Sequence, residues 1–185
     1  MHILAFGASN STTSINARLA RHASQVMATE IAKGAEIHVL DLNEFEMPIY
    51  SPEREEAHGI PGAAHAFHAA IQKADVLIIS YAEHNGSYTA AFKNILDWTS
   101  RINVNVWQDK PALFMSASGG EWGGGTVLAT AAEAAPYLGG DVRAHLAVGP
   151  WQEKFNETTE SLSDPELIEK LRDGLKLLTS ETLPA

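Results

Sequence analysis

Hydroxyl side chains fill five of the six positions from Ser9 to Ser14, broken only by Asn10. They follow an apolar run, His2 to Phe6, and precede a helical repeat that begins near Ile15. At such a helix start the first backbone N–H groups have no intrahelical partner and the helix dipole favours an anion, so the turn has the chemistry to hold a phosphate. One Ser or Thr there would be plain capping; five hydroxyls favour the phosphate. Two further stretches carry amides, glycine and polar side chains. One is Glu83-His84-Asn85-Gly86-Ser87. The other runs from Ser116 to Gly125 and has five glycines in the seven positions from Gly119, which permits close backbone approach and positive φ angles. Together they suit a planar heterocycle with polar edges.

Other chemistries find no support. His65 and His68 are three apart on a helix, a spacing that can bind a metal, but no carboxylate or third histidine joins them; two solvated histidines and no metal site are expected. There is no serine–histidine–acid set and no pair of carboxylates. The chain has no cysteine, which excludes disulfides, thiolate metal sites and thiol catalysis. The serine turn has neither Gly-x-Gly-x-x-Gly nor the lysine of a Walker loop, and no acidic pair ends the strand before it. A formal charge of −10 argues against a nucleic-acid partner. No apolar run reaches membrane-spanning length, and the amino terminus lacks a signal-peptide pattern, so a cytoplasmic protein is expected.

The elements that must position these loops can be read from the hydrophobic pattern. Asp75 to Tyr81 is almost wholly apolar and branched, as in a strand buried on both faces of a parallel sheet. Further strands are expected at His2 to Phe6, Glu36 to Leu42 (with His38 facing outward), Ala112 to Met115 and Asp141 to Val148. Helices are expected from Ile15, with Leu19, Ala23, Val26 and Met27 on one side; over Pro61 to Ala74; from Tyr88 to Trp98, capped by Ser87; and from Thr126 to Tyr137. A last helix opens at Asp164-Pro165-Glu166, an acid cap followed by proline. Residues 43–60 read as a long surface connection around Met47-Pro48-Ile49-Tyr50, Ile102 to Trp107 as a connection, and 150–163 as a polar loop. One domain over 1–185 is expected. In strand order 2-1-3-4-5, loops 8–16, 82–87 and 116–124 converge where open α/β sheets bind ligands.

Glu83-His84-Asn85-Gly86-Ser87-Tyr88, followed by Lys93-Asn94-Ile95-Leu96-Asp97-Trp98, resembles the signature of the NADPH-dependent FMN reductase family. That family's loop is usually Pro-Glu-Tyr-Asn-(Gly/Tyr)-Ser, followed by Leu-Lys-Asn-Ala-Ile-Asp-Trp; here Ala82 stands for the proline and His84 for the tyrosine. Ser9, Ser14 and Asn16 match the family's Gly-Ser-Leu-Arg-x-x-Ser-x-Asn turn, with Ser11 in place of its arginine. The glycine-rich stretch is similar to the segment that borders the isoalloxazine ring. The resemblance runs from about Met1 to Val148.

The resemblance implies a flavodoxin-like three-layer α/β/α sandwich with a five-stranded parallel sheet. It implies FMN as cofactor, NAD(P)H as co-substrate and a small-molecule electron acceptor such as a quinone, flavin, azo dye or metal ion, with both substrates using one open face in turn. A homodimer or dimer of dimers is implied. The residues expected to bind the cofactor are Ser9, Ser11, Ser14, Ile15, Asn16, Glu83, His84, Asn85, Gly86, Ser118, Gly119 and Gly120. No catalytic side chain is expected, because a bound flavin carries such chemistry itself. Two other readings stay open: a flavodoxin-like electron carrier acting with protein partners, and a flavin-free interaction protein that kept the fold.

Overall fold

The computed structural model describes residues 1–180. Its centre follows from continuous apolar runs. Strand β1 (His2–Ala8) is buried from Ile3 onward and β3 (Val76–Tyr81) along its whole length. Strands without a polar face must be covered on both sides, which parallel sheets achieve with crossover helices. With β2 (Glu36–Val39), β4 (Pro111–Ala117) and β5 (Asp141–Val148), they form one parallel sheet of order β2-β1-β3-β4-β5. This is the expected flavodoxin-like 2-1-3-4-5 order.

The period of two along each strand divides the core. Ile3, Ala5, Val76, Ile78, Leu113 and Met115 face one side, where they meet Leu19 and Ala23 of α1 (Ile15–Val26) and Leu171 and Leu175 of the last helix, Pro165–Leu177. Leu4, Phe6, Leu77, Ile79, Tyr81 and Phe114 face the other. There they pack on Phe67, on Phe92 and Trp98, and on Val127 from three further helices, Gly62–Lys73, Ala90–Ile102 and Gly125–Ala134. His38 is exposed, as its alternation with Ile37 and Val39 predicts.

Several elements differ from the sequence reading. The connection at residues 43–60 is ordered: Asp41 caps a short 3-10 turn, Leu42–Phe45, and Ser51 caps a helix at Pro52–His58 that carries proline in its first turn. Taken in chain order, the helices are therefore α1, α2 (Pro52–His58), α3 (Gly62–Lys73), α4 (Ala90–Ile102), α5 (Gly125–Ala134) and α6 (Pro165–Leu177). Helix α4 starts later than expected and is capped by Thr89, not Ser87: Thr89 Oγ1 accepts from Phe92 N at 3.2 Å. Residues 150–163 hold a helical turn, Trp151–Lys154, and a two-stranded hairpin, Phe155–Asn156 with Ser161–Leu162. The expected helix to Tyr137 ends at Ala134 and continues as a 3-10 turn containing Pro136, whose ring and missing N–H oppose an α-helical interior. Of the two histidines on α3, His65 is exposed, but His68 is half-buried with Nε2 enclosed and unpartnered. Among the described residues no helix is long and apolar enough to cross a membrane, and no group of three or more His, Asp or Glu is placed to hold a metal.

Candidate functional site

The serine turn joins β1 to α1 at the carboxyl end of the sheet. A Cβ on Gly7 would overlap the backbone of Ala17, so only glycine lets the start of α1 rest directly on β1. Ser14 is the N-cap, its Oγ accepting from Ala17 N at 3.2 Å. Ser9 Oγ accepts from Ser11 N at 3.1 Å and Ser11 Oγ from Thr13 N at 3.4 Å. A hydroxyl that accepts still carries its proton, so Ser9 and Ser14 stabilise the turn and keep a donor for a ligand. The N–H groups of Ile15 and Asn16 lie in the first helical turn, where no preceding carbonyl reaches them.

The Asn16 side chain is not among the free donors. It is 3% exposed; its Nδ2 donates to Ala117 O at 3.1 Å, and its Oδ1 accepts from Ala117 N at 2.8 Å and Ser80 Oγ at 2.7 Å. It ties the start of α1 to the ends of β3 and β4. Thr89 makes a second brace, donating from Oγ1 to Ala8 O at 3.0 Å while capping α4.

The expected loop 82–87 and Tyr88, expected to open a helix, form a small hairpin over residues 83–88. Glu83 pairs with Tyr88 and His84 with Ser87. Asn85 and Gly86 make the turn with φ of 53° and 73°, the two left-handed residues a type I′ turn requires. His84, Asn85, Gly86 and Ser87 are exposed at the tip. The Glu83 carboxylate is engaged within the protein: its Oε2 accepts from Val127 N at 2.9 Å, at the start of α5. Tyr88 leans on Tyr81 and Phe92, with ring centroids 5.8 and 5.3 Å apart, and burial pushes its hydroxyl pKa up to about 12. Burial also pushes the Tyr81 hydroxyl pKa well up, and ionisation of the neighbouring Tyr88 would push it further.

The glycine-rich loop lies across the end of β5. Ser118 N donates to Val148 O at 3.3 Å, and Trp151 N donates to Ser118 O at 2.9 Å. At Gly123, with φ of 59°, a Cβ would stand 2.7 Å from the Val148 backbone. Gly119 and Gly120 are exposed, and a Cβ built at either would make only ordinary contacts, with Gln152 at 3.8 Å and with Ser118 Oγ at 3.9 Å. Beneath the loop the buried Ser116 hydroxyl has no hydrogen-bond partner among the described residues. Trp122, at its outer tip, is 87% exposed.

A fourth wall escaped sequence reading. Gln152 reaches to 3.8 Å from a Cβ position on Gly119. Trp151 stacks on Phe155 at 4.0 Å. Arg18 of α1 crosses to the hairpin after Phe155, meeting Glu157 at 2.9 Å and Glu160 at 2.6 Å. Its charge is thereby neutralised near the serine turn. Two signals were present: aromatic residues four apart, and Asn156, whose Oδ1 accepts from Thr158 N and Thr159 N as in an Asx turn.

The residues after the hairpin hold a different segment. Asn94 Oδ1 accepts from Tyr50 N at 2.9 Å, its Nδ2 donates to Met47 O at 3.0 Å, and Trp98 Nε1 donates to Pro48 O at 2.7 Å. Asn94 and Trp98 thus pin Met47–Tyr50 beside the site. A cleft of about 240 Å³ opens between that segment, Asn10 and Ala90–Ala91. A larger one, about 390 Å³, lies at the opposite end of the sheet by His2, Glu36 and Lys73, away from these loops.

Residues 1–153 match the family model described as NADPH-dependent FMN reductase. The chain is 30% identical over 189 residues to a probable NADPH:quinone oxidoreductase 2 of rice, Oryza sativa subsp. japonica, covering 99% of this chain and 89% of that protein. It is 34% identical over 124 residues to an NADPH:quinone oxidoreductase of Arabidopsis thaliana, covering 67% of this chain and 61% of that one. Among solved structures, the flavoenzyme NAD(P)H:(acceptor) oxidoreductase FerB of Paracoccus denitrificans superposes with a TM-score of 0.75 at 21% identity, covering 96% of this chain and 94% of that one.

Proposed function

We infer from the NADPH-dependent FMN reductase family, to which this chain belongs, how the oxidoreductase uses its three loops: FMN spans them, NAD(P)H donates the electrons, and a small quinone-type molecule accepts them. The carrying observation is the pairing of a serine turn that keeps free hydroxyl protons and helix-start N–H groups with two facing loops made largely of exposed backbone. The residues suit the cofactor. Ser9, Ser11 and Ser14, with the N–H groups of Ile15 and Asn16, would hold the phosphate. Asn85, Gly86, Ser118, Gly119 and Gly120 would offer backbone donors and close approach to the polar edges of the ring. The unpartnered Ser116 hydroxyl lies below, and His84 stands exposed at the rim. Glu83 and the Asn16 side chain act as braces, so their contribution is position.

When bound, FMN supplies the redox chemistry between nicotinamide and acceptor. The protein supplies placement: the braces hold donors where they need not reorganise as charge develops, which is worth most where water is excluded. The exposed tip of the 83–88 hairpin and the exposed Gly119 and Gly120 would frame one approach, which both substrates would share. An electron carrier is not favoured: the hairpin tip offers exposed His84 and glycine in place of a closed aromatic sandwich. A single domain, a homodimer and a cytoplasmic setting belong to the same proposal.

The test begins with reconstitution. Purified protein mixed with FMN and desalted should retain flavin absorbance, and should then oxidise NADPH or NADH with benzoquinone, giving parallel lines in double-reciprocal plots. Protein that retains no flavin would overturn the binding site. Retained flavin without nicotinamide oxidation would revive the carrier reading. Intersecting lines would refute the shared approach.

A further inference from the structure

Among the helices that start at the ligand end of the sheet are α1, behind the serine turn, and α5, behind the glycine-rich loop. Both ought to attract anions, since each exposes unpaired N–H groups at the positive end of a helix dipole. They are not equivalent. The start of α1 is open. The start of α5 already holds an anion from the chain itself, because Glu83 Oε2 accepts from Val127 N at 2.9 Å. Gly124 precedes α5 in a left-handed conformation, with φ of 79° and no side chain able to cap. Glu83 supplies the missing cap from a position 44 residues away in sequence.

The contact also joins the two loops proposed to flank the ring. Glu83 opens the hairpin whose tip is Asn85-Gly86, and Val127 stands in the first turn of α5, two residues past Gly125 of the glycine-rich loop. A Cβ on Gly86 would meet only Thr126 Cγ2, at 3.8 Å, so the hairpin tip lies over the first turn of α5. A two-residue strand pair is marginal by itself, and the hairpin needs an outside anchor to keep its tip in register. A carboxylate accepting from an N–H is a charge-assisted hydrogen bond, roughly twice as strong as a neutral one.

We propose that Glu83 is a positioning residue for the flavin site, acting as a built-in anion at the start of α5. It sets the spacing between the Asn85-Gly86 turn and the glycine-rich loop, and it occupies the start of α5 while the start of α1 stays open. The inference rests on the proposed FMN site. It assigns Glu83 no contact with the cofactor.

The test compares wild type, Glu83→Gln and Glu83→Ala. In the flavin-free protein, the Val127 amide of wild type should be protected from hydrogen exchange, with protection falling at least about tenfold in Glu83→Ala and partly kept in Glu83→Gln, whose amide oxygen still accepts. Inorganic phosphate should shift the Gly125–Val127 amide resonances in Glu83→Ala but leave them unmoved in wild type. FMN affinity, followed by fluorescence titration, should fall about tenfold in Glu83→Ala and recover partly in Glu83→Gln, a loss of about 1.4 kcal/mol. Wild type that binds FMN alongside Glu83→Ala of equal affinity would overturn this inference while leaving the functional reading intact. Wild type that binds no FMN would overturn both. If Glu83→Ala does not fold, Glu83→Gln decides: exchange protection and FMN affinity both reduced but not abolished support the charged acceptor, and wild-type values of both refute it.

Discussion

Asn16 and Ser14 are two residues apart and both belong to the expected phosphate turn, yet the structure separates their roles sharply enough to measure. Asn16→Ala removes three hydrogen bonds, to Ala117 N, Ala117 O and Ser80 Oγ. The groups lie in a region where Asn16, Ala117 and Ser80 are 3%, 2% and 0% exposed. Each buried group left without a partner costs about 1–3 kcal/mol. A water entering the polar void would soften that loss, so the low end applies to each, and the total is about 3–4 kcal/mol. For a chain of this size, about 1 kcal/mol moves the melting temperature by roughly 2–4 °C. Asn16→Ala should therefore melt about 10 °C below wild type. Ser14→Ala loses only the cap on Ala17 N, worth about 1 kcal/mol, or roughly 3 °C, but it also loses a ligand donor and should weaken FMN about tenfold. Thermal unfolding of the flavin-free proteins by circular dichroism and fluorescence titration with FMN separate the two effects. If Asn16→Ala melts within about 3 °C of wild type, the buried bridge is not the anchor described here. If Ser14→Ala binds FMN as tightly as wild type, the hydroxyl turn is a cap and nothing more.

Gly86→Val places a β-branched residue at a φ of 73°, a strain of about 1–3 kcal/mol; purified protein should carry much less flavin, and full occupancy would show that the ring lies elsewhere. Thr89→Ala should lower stability by about 1–2 kcal/mol through the lost cap and the lost bond to Ala8 O, whereas Ser87→Ala should stay within about 0.5 kcal/mol; equal losses in chemical denaturation would restore Ser87 as the cap. Burial lowers the His22 pKa below its usual value, with Arg172 adding to the shift and Glu30 opposing it. Between that lowered value and about 6.5 the unfolded chain binds a proton that the folded chain does not. Stability should therefore fall as pH drops through that window, and His22→Gln should flatten the slope; an unchanged slope would assign it to other groups, such as His145, which burial shifts in the same direction.

The sheet was legible because its signals were long and consistent: unbroken apolar strands, an acid–proline helix start at Asp164, and a stripe of leucines on α6. What sequence reading missed was short or depended on distance. Asn85-Gly86 is a strong hairpin signal, but the flanking strands are two residues each and show no periodicity. Ser51-Pro52 capped a helix inside a stretch whose prolines suggested a loop. Residue type marked out loops that lie at the carboxyl end of the sheet, but it could not separate side chains left exposed there from side chains that hold the loops. Asn16 and Glu83 are polar, adjacent to the site and chemically suited to a cofactor, and only their partners Ala117 and Val127, remote in sequence, reveal that their side chains turn inward.

That division explains how this chain can depart from its family's usual motif while keeping the architecture of the site. Ser11 and His84, which stand where the resemblance has arginine and tyrosine, are exposed and hold no neighbouring element in place. Matching positions do such work: Asn16 ties α1 to β3 and β4, Glu83 ties the hairpin to α5, and Asn94 and Trp98 pin Met47–Tyr50. A side chain that braces three backbone segments has few substitutes, because any replacement leaves buried donors or acceptors unpaired. A side chain at a solvent-facing rim changes what enters the site at little cost to the fold. Substitution of Ser11 or His84 should therefore alter phosphate affinity and acceptor preference with little change in melting temperature, whereas substitution of Asn16 or Asn94 should lower the melting temperature.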